Sequence, residues 1–183
     1  MSSGDKFPLS IAGPVALKLS DMLAGACDRI EFAGSLRRAG AGDPLIGDVE
    51  LVAIPRSLRP RFGVAATQQK NDLDALLDDL IAQQMIQRYP VELARPAWGE
   101  RYKKFWLPVG ERWLQVDLFL PDRDNFGAIF TLRTGSQAFS KALVTHIKYQ
   151  TPYMQDDGYL RLIADGAIVP TPEEQDYFER SGV

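Results

Sequence analysis

The sequence is poor in the residues that supply thiol and imidazole groups. Its 183 residues include one cysteine, Cys27, and one histidine, His146. A single cysteine excludes an internal disulfide and a multi-cysteine zinc site, and a single histidine excludes a histidine-rich metal site. A Ser/His/Asp triad would have to use His146, which lies in a pattern typical of an amphipathic helix and is expected to be structural. This cysteine usage favours a reducing, cytoplasmic location.

Long apolar runs are also missing. The sequence contains no stretch of about 20 apolar residues, so a membrane span is not expected. The first ten residues, MSSGDKFPLS, lack the basic and apolar regions of a secretory signal. With 45% hydrophobic and 25% charged residues, the composition is that of a soluble globular protein. The length suits one domain, or one domain with a small appendage, and a monomer is expected.

Charge is distributed unevenly along the chain. The net charge of −3 argues against a protein that coats nucleic acid without specificity. Residues 95–148 nevertheless include nine Lys and Arg against five Asp and Glu, whereas residues 149–183 include two against seven. The basic residues are either solvated surface groups or parts of a face that binds nucleic acid. The candidate nucleic-acid-binding residues are Arg101, Lys103, Lys104 and Lys141.

Hydrophobic periodicity predicts the first elements of the chain. The apolar positions of residues 10–28 have helical spacing, and Pro14 is predicted in the first turn, where a missing N–H is tolerated. Residues 29–34 favour a short strand. Residues 45–55, which are rich in Val and Ile and end at a proline, favour another. Glycine-rich turn residues connect the two strands.

The remaining elements follow from the same periodicity. Residues 56–69 are predicted as a loop with three arginines, Arg56, Arg59 and Arg61. Asn71 is predicted to cap a helix that extends to about Gln87. Strands are further predicted at 89–94, 102–109 and 113–121, and helices at 124–131 and 137–149. A strand pair is predicted within 158–169. A last helix is predicted after Thr171, with Pro172 in its first position.

A glycine and a serine end the first predicted strand. Gly34 allows the backbone to approach an anion closely. Ser35 offers a hydroxyl and adjacent N–H groups to phosphate oxygens, and Arg38 would add a charge-assisted contact. These features predict a phosphate-binding turn, although the same pattern is common in proteins with other functions.

Two acidic residues lie in the apolar strand that follows. Asp48 and Glu50 are two residues apart, so their side chains share one face of the strand. Two carboxylates on a mostly buried face repel each other and lose solvation unless a cation lies between them, and Mg²⁺ prefers such oxygen ligands. The alternative is that both side chains lie on a solvent-exposed face. Asp117, at the centre of a later strand, has the same two interpretations.

Taken together, these motifs favour a catalytic site. A phosphate-binding turn, a D-x-E strand and a later acidic strand are the parts that two-metal phosphoryl transfer requires. The motifs FAGSLRR, GDVELVAIP, QVDLFL, RTGSQAFSKAL and PTPEEQDYF resemble the palm and thumb of family X DNA polymerases. They follow the order of that family over residues 30–180, and the chain is most similar to its short phage and viral forms.

The resemblance implies a role for each motif. Asp48 and Glu50 would bind both metal ions, and Asp117 would bind the catalytic metal and orient or deprotonate the attacking 3′-hydroxyl. Mg²⁺ is the implied cofactor, with Mn²⁺ as a possible substitute. The residues implied to bind the incoming nucleotide through its phosphates, sugar and base are Gly34, Ser35, Arg38, Thr134, Gly135 and Ser136.

Several positions depart from the family pattern. Glu50 stands where repair polymerases usually have aspartate. Leu132 and Arg133 replace an aromatic pair that helps to exclude ribonucleotides, so measurable ribonucleotide incorporation is expected. Val144 replaces an arginine that supports the templating strand, which puts templated fidelity in doubt. The first 28 residues leave no room for the lyase and DNA-anchoring domains of the family, so no lyase activity and a weak grip on DNA are expected.

The sequence therefore predicts an α/β (α+β) nucleotidyltransferase. Residues 1–130 are expected to form a palm with a mixed, mainly antiparallel sheet, and residues 131–183 a small thumb-like subdomain. The expected activity transfers a nucleoside monophosphate from a triphosphate to a nucleic-acid 3′-hydroxyl, with primed or gapped DNA as the partner. One alternative acceptor is a tRNA end, a small molecule or a protein hydroxyl. The other alternative is a non-catalytic nucleic-acid-binding protein on the same scaffold.

Overall fold

The computed structural model describes residues 5–56, 71–88 and 97–183. The elements in this part of the chain make a mixed α+β fold, as the sequence predicts. In chain order they are β1 (Phe7–Pro8), α1 (Leu9–Ala24), β2 (Cys27–Phe32), α2 (Gly34–Arg38), β3 (Leu45–Ile46), β4 (Asp48–Pro55), α3 (Asp72–Ala82), β5 (Gln87–Arg88), β6 (Tyr102–Val109), β7 (Arg112–Phe119), α4 (Phe126–Thr134), α5 (Gln137–Gln150), β8 (Tyr153–Asp156), β9 (Tyr159–Leu162) and α6 (Glu174–Ser181).

A five-stranded sheet forms the centre of the fold, with strand order β2–β4–β7–β6–β5. β2 is antiparallel to β4, and β6 is antiparallel to both β7 and β5. β4 and β7, in contrast, run parallel. The prediction of a mixed, mainly antiparallel sheet is therefore confirmed. The parallel pair brings the two acid-bearing strands into direct contact.

The two faces of the sheet have different neighbours. On one face, alternate apolar residues of β4, β6 and β7 pack against the apolar sides of α1 and α3 in the main core. The opposite face carries the acidic side chains, and α4 covers part of it. Phe126 and Phe130 of α4 pack there against Ala33 and Val52, with Phe119 at the edge of the cluster. A cleft lined in part by Glu50 and Asp117 opens on this second face.

A separate hydrophobic cluster joins the C-terminal elements. Its buried residues come from α4, α5, β9 and α6. α4 contributes Ala128 to this cluster and Phe126 to the cluster against the sheet, so the predicted boundary after residue 130 falls inside a helix that contacts both. The division into a palm and a thumb-like unit stays a prediction.

Most of the predicted elements in the described residues are confirmed, with differences at their ends. β6 has the predicted bounds, and the side chain of Asn71 accepts a hydrogen bond from the backbone N–H of Asp74 at 2.7 Å, as expected of an N-cap. α3 ends at Ala82 rather than near Gln87, because Gln84 adopts a positive φ of 58° that a helix cannot continue. The strand predicted at 45–55 divides at residue 47 into β3 and β4.

The position predicted for Pro14 is wrong. α1 begins at Leu9, so Pro14 lies in the second turn rather than the first. The early start is stabilised by Asp43, which accepts hydrogen bonds from the backbone N–H of Ser10 at 2.7 Å and from its hydroxyl at 2.8 Å. The aspartate thus satisfies one of the donors at the helix N-terminus.

The pairing predicted within residues 158–169 is present as an isolated antiparallel bridge between Arg161 and Ile168, with the backbone N–H of Val169 donating to the carbonyl of Leu160 at 2.9 Å. β9 also pairs with the preceding β8, which was not predicted, and Asp157 and Gly158 between them have positive φ values of 47° and 83°. Two such residues form the tight turn that joins antiparallel strands.

The sequence predicts Pro172 in the first position of the last helix, and this prediction is wrong. Glu173 caps α6 in a reciprocal pair with Asp176.

The predicted strand at 89–94 and residues 57–69 of the predicted loop, with Arg59 and Arg61, lie outside the described residues. Within the described ranges, no helix combines the length and the apolar character needed to cross a membrane.

Candidate active site

The three acidic residues singled out from the sequence lie on one face of the sheet. The parallel pairing of β4 and β7 sets Glu50 opposite Asp117, and Asp48 opposite Gln115. Because side chains alternate along a strand, Asp48, Glu50 and Asp117 all point to the face that α4 partly covers. Asp117 is only 7% exposed and the other two are half-buried. This burial argues against the alternative of a solvent-exposed acidic face.

The electrostatics of the site reflect this crowding. Burial, together with the carboxylates of Asp48 and Asp117, raises the pKa of Glu50 to about 7, against the opposing influence of Arg133 and Arg38. Burial and the carboxylate of Asp117 also raise the pKa of Asp48. The neighbouring carboxylates therefore destabilise the charged forms of Asp48 and Glu50, as expected of acids that share a site without a cation.

Both carboxylate oxygens of Asp117 accept hydrogen bonds. The hydroxyl of Tyr102 donates to Oδ1, and the side-chain amide of Gln115 donates to Oδ2 at 2.6 Å. The ammonium of Lys104, directly opposite Asp117 on β6, lies 4.0 Å from Oδ1. These contacts hold the most buried of the three carboxylates in a defined orientation.

Gly34 lies directly against the carboxylate of Glu50. A Cβ atom added at Gly34 would be 1.8 Å from Oε2 of Glu50, and the residue has a positive φ of 59°. Both the close approach and the backbone conformation require glycine. The backbone N–H of Ala33 also donates to the carbonyl of Glu50 at 2.9 Å, which ties this turn to β4.

The residue that follows Gly34 has unused hydrogen-bonding capacity. The Oγ of Ser35 is buried and has no hydrogen-bond partner among the described residues. A buried hydroxyl in this state is costly unless a ligand or water completes its bonding. The turn continues into α2, which is only five residues long. The orphan hydroxyl thus fits the predicted contact between Ser35 and a phosphate oxygen.

The structure joins the two predicted nucleotide-binding segments. The guanidinium of Arg38 donates to the backbone carbonyl of Thr134, and the guanidinium of Arg37 donates to the Thr134 hydroxyl at 2.9 Å. Arg37 is further held by both carboxylate oxygens of Glu174, at 2.8 and 3.0 Å. The Gly34–Arg38 turn and the T-G-S turn, far apart in sequence, are therefore direct neighbours.

The T-G-S turn itself has a constrained geometry. The side chain of Ser136 caps α5 by accepting from the backbone N–H of Phe139 at 3.2 Å. A Cβ atom at Gly135 would be 2.3 Å from the ring of Phe139 and 2.9 Å from the Oγ of Ser140. Glycine at position 135 therefore allows the turn to pass close to the helix that follows it.

A cleft of about 600 Å³ opens beside the carboxylates. The Cζ of Arg133 lies 4.1 Å from the ring centroid of Phe119, and the ring of Tyr102 stacks on the same phenylalanine at 5.1 Å. Arg133 therefore packs against the wall of the cleft. The residues that line the cleft include Glu50, Asp117, Tyr102, Phe119, Arg133 and Arg101.

The four candidate nucleic-acid-binding residues occupy different environments. Arg101, at the cleft, forms an ion pair with Asp157 at 2.8 Å, and Lys104 belongs to the acidic site. Lys103 is 3% exposed, and its ammonium pairs with Asp74 at 2.7 Å on the other side of the sheet. This burial argues against the predicted surface contact for Lys103. Lys141 is exposed on α5.

The residue types and strand register fit a Mg²⁺ site, because carboxylate oxygens are its preferred ligands. As the side chains stand, however, no group of three or more His, Cys, Asp or Glu residues within the described ranges is arranged to hold a metal ion. Tyr102 and Gln115 donate to the two carboxylate oxygens of Asp117. Convergence of all three carboxylates on one ion stays a prediction.

Comparisons with models of known protein families and with curated proteins find no match. The resemblance to family X polymerases therefore rests on the sequence motifs alone.

The sequence analysis did not predict a role for Tyr102 or Gln115, and it assigned Lys104 to the surface that binds nucleic acid. A signal for Lys104 and Gln115 exists in the sequence. The strands 102–109 and 112–119 are joined by a two-residue connection, which fixes a hairpin register in which Lys104 faces Asp117. Gln115 is two residues from Asp117 and so shares its face.

Proposed function

We propose that the protein is a Mg²⁺-dependent nucleotidyltransferase that adds a nucleoside monophosphate to a nucleic-acid 3′-hydroxyl, in the manner of family X DNA polymerases. The observation that carries the proposal is the pairing of Glu50 with Asp117 on adjacent parallel strands, with Asp48 on the same face. Three partly buried carboxylates on one face of the sheet repel one another in the unliganded protein, and a bound cation would offset this repulsion.

The neighbours of the acids support a nucleotide substrate. Gly34 lies against Glu50, the hydroxyl of Ser35 lacks a partner among the described residues, and Arg38 contributes positive charge beside Asp48 and Glu50. A triphosphate carries the oxygens that a hydroxyl donor and a guanidinium bind. The T-G-S turn, in contact with Arg38, is close enough to bind the remainder of the same nucleotide.

The reaction assigns a distinct task to each part of the site. In the proposed step the acceptor hydroxyl oxygen forms a bond to the α-phosphorus, and the bond from that phosphorus to the bridging oxygen breaks to release pyrophosphate. Asp117 orients the acceptor hydroxyl and takes its proton, while Ser35 and Arg38 hold the phosphates. Mg²⁺ bound by Asp48, Glu50 and Asp117 would neutralise charge on the phosphoryl group during transfer.

Nucleotide incorporation tests the proposal. Purified protein is incubated with Mg²⁺ or Mn²⁺, each labelled dNTP and NTP, and a panel of acceptors: primer–template, gapped duplex, single-stranded DNA and tRNA. We expect label to enter at least one nucleic acid with release of pyrophosphate. Asp117→Asn should abolish transfer, whereas Asp21→Asn, at an exposed carboxylate of α1, should leave it unchanged.

The pattern of products separates the proposal from its alternatives. Incorporation into nucleic acid that depends on Asp117 supports it. Pyrophosphate release without nucleic-acid labelling would indicate a different acceptor. No incorporation and no pyrophosphate release with any acceptor, or equal activity of the Asp117→Asn variant, would refute it.

A further inference from the structure

The two carboxylate oxygens of Asp117 are held from different directions. Oδ1 accepts from the hydroxyl of Tyr102 and lies 4.0 Å from the ammonium of Lys104, and both of these residues belong to β6. Oδ2 accepts from Gln115, which is on β7 itself and pairs with Asp48 across the sheet. β7 lies between β6 and β4. Oδ1 is thus anchored on the side of β7 away from Asp48 and Glu50.

Tyr102 is well placed to act as a fixed anchor. Its ring stacks on Phe119 with the centroids 5.1 Å apart and the planes inclined by 28°. Tyr102 and Phe119 are also direct partners across β6 and β7. Stacking restricts the ring and so fixes the direction of its hydroxyl. Gln115, in contrast, has a flexible side chain with an amide that can turn away from Oδ2.

We infer that Tyr102 is a positioning residue that anchors Oδ1 of Asp117 on the β6 side and thereby presents Oδ2 to a cation bound at Asp48 and Glu50. The inference rests on the proposed function, since it assumes that these acids bind a divalent cation. Each carboxylate oxygen has more than one lone pair, so the Tyr102 hydrogen bond can persist when the cation is bound. Hydrogen bonds of this kind orient metal ligands, and their loss typically weakens metal binding about 10- to 100-fold.

The test compares two matched tyrosine variants in the full chain. Tyr102→Phe removes the hydroxyl but keeps the ring that stacks on Phe119. Tyr159→Phe removes another tyrosine hydroxyl that donates to an aspartate, Asp122, at an exposed position. Mn²⁺ affinity is measured by titration with electron paramagnetic resonance of the free ion. Thermal unfolding without metal is measured in parallel, and Asp117→Asn identifies the binding that depends on the site.

We expect the dissociation constant for the Asp117-dependent Mn²⁺ site to rise about 10-fold or more in Tyr102→Phe and to stay unchanged in Tyr159→Phe. Equal Mn²⁺ affinity of the wild type and Tyr102→Phe, with binding still lost in Asp117→Asn, would overturn the role of Tyr102 alone. If Asp117→Asn binds Mn²⁺ as the wild type does, the proposed metal site fails and the role of Tyr102 fails with it. Equal weakening of Mn²⁺ binding in Tyr159→Phe would also overturn the inference, because the effect would then not be specific to Tyr102.

Discussion

Gly34 contacts Glu50 so closely that no other residue fits without a local rearrangement. Its positive φ of 59° costs an L-residue about 1–2 kcal/mol, and an added Cβ would also collide with Oε2 of Glu50. Gly34→Ala should therefore lower the free energy of unfolding by more than the conformational cost alone. Gly110→Ala is the matched control, because Gly110 has a similar φ of 63° and the described structure has no atom within 4 Å of an added Cβ there.

Urea denaturation of the two alanine variants measures the difference. The loss in Gly34→Ala should exceed that in Gly110→Ala, and adding Glu50→Ala should recover part of it because the colliding carboxylate is gone. Equal losses in the two single variants, with no recovery in the double variant, would show that the contact between Gly34 and Glu50 has no energetic weight.

Cys27 is predicted to be unreactive in the folded protein. Burial is the main cause that raises the pKa of its thiol to about 11. Because the thiolate is the nucleophile, alkylation by iodoacetamide at pH 8 should be slow in the native state and fast in urea. Mass spectrometry of the labelled chain follows both reactions. Rapid labelling of the native protein at the rate of the unfolded chain would contradict the burial of this side chain.

At the scale of elements, an ion pair between a buried ammonium and a partly exposed carboxylate connects α3 to the sheet. The ammonium of Lys103 on β6 lies 2.7 Å from Asp74 in the first turn of α3, and Lys103 also donates to the carbonyl of Gly99 at 2.9 Å. Asp74→Asn leaves a buried ammonium without its counter-charge and should cost about 3 kcal/mol or more. Lys103→Met removes the buried charge and should cost less, since Asp74 is partly exposed. Thermal and urea unfolding of both variants would check this order, and a reversed order would contradict it.

The helices and strands of this fold could largely be predicted from the sequence, but the pairing of the strands was harder to predict. The alternation in residues 113–121 correctly separates the core-facing residues from the face that carries Asp117, because the side-chain period of a strand is local. The pairing of β4 with β7 is not local. It joins residues that are 67 positions apart, such as Glu50 and Asp117 (117 − 50 = 67), and only the resemblance to a known family suggested that these two would lie side by side.

Errors in the starts of two helices have a common physical origin in specific side-chain hydrogen bonds. Asp43 stabilises the start of α1 before Pro14, and the helix N-cap at Glu173 depends on its reciprocal bonds with Asp176 rather than on Pro172. Propensity identified the helices, whereas specific hydrogen bonds determined where they begin.

At the scale of the whole molecule, three of the four basic candidates lie beside acidic side chains. Arg101 pairs with Asp157 and Lys103 with Asp74, while Lys104 lies beside Asp117. Charge counts along the sequence could not show this, because the partners lie on different elements of the fold. Of the four candidates, Lys141 has the environment that best suits contact with a nucleic-acid backbone, since it is exposed on α5.

Salt dependence tests that assignment. The logarithm of the DNA-binding constant should fall linearly with the logarithm of salt concentration, with a shallow slope of about −0.9 for each phosphate contact. Lys141→Ala should reduce the magnitude of the slope by about one contact, whereas Lys18→Ala, at an exposed position on α1, should not change it. Fluorescence anisotropy at several salt concentrations supplies the slopes. Binding that is independent of salt would refute an electrostatic interface.

The central claim is that Asp48, Glu50 and Asp117 together bind the cation that supports nucleotide transfer. Anomalous diffraction from crystals grown with Mn²⁺ and a non-hydrolysable nucleoside triphosphate tests it most directly. We predict an anomalous peak within about 2–2.5 Å of oxygens from all three carboxylates, a range that spans ordinary divalent-metal–oxygen distances. The triphosphate should lie beside Ser35 and Arg38. A peak at another site, or no peak between the three carboxylates at saturating Mn²⁺ and nucleotide, would contradict the account.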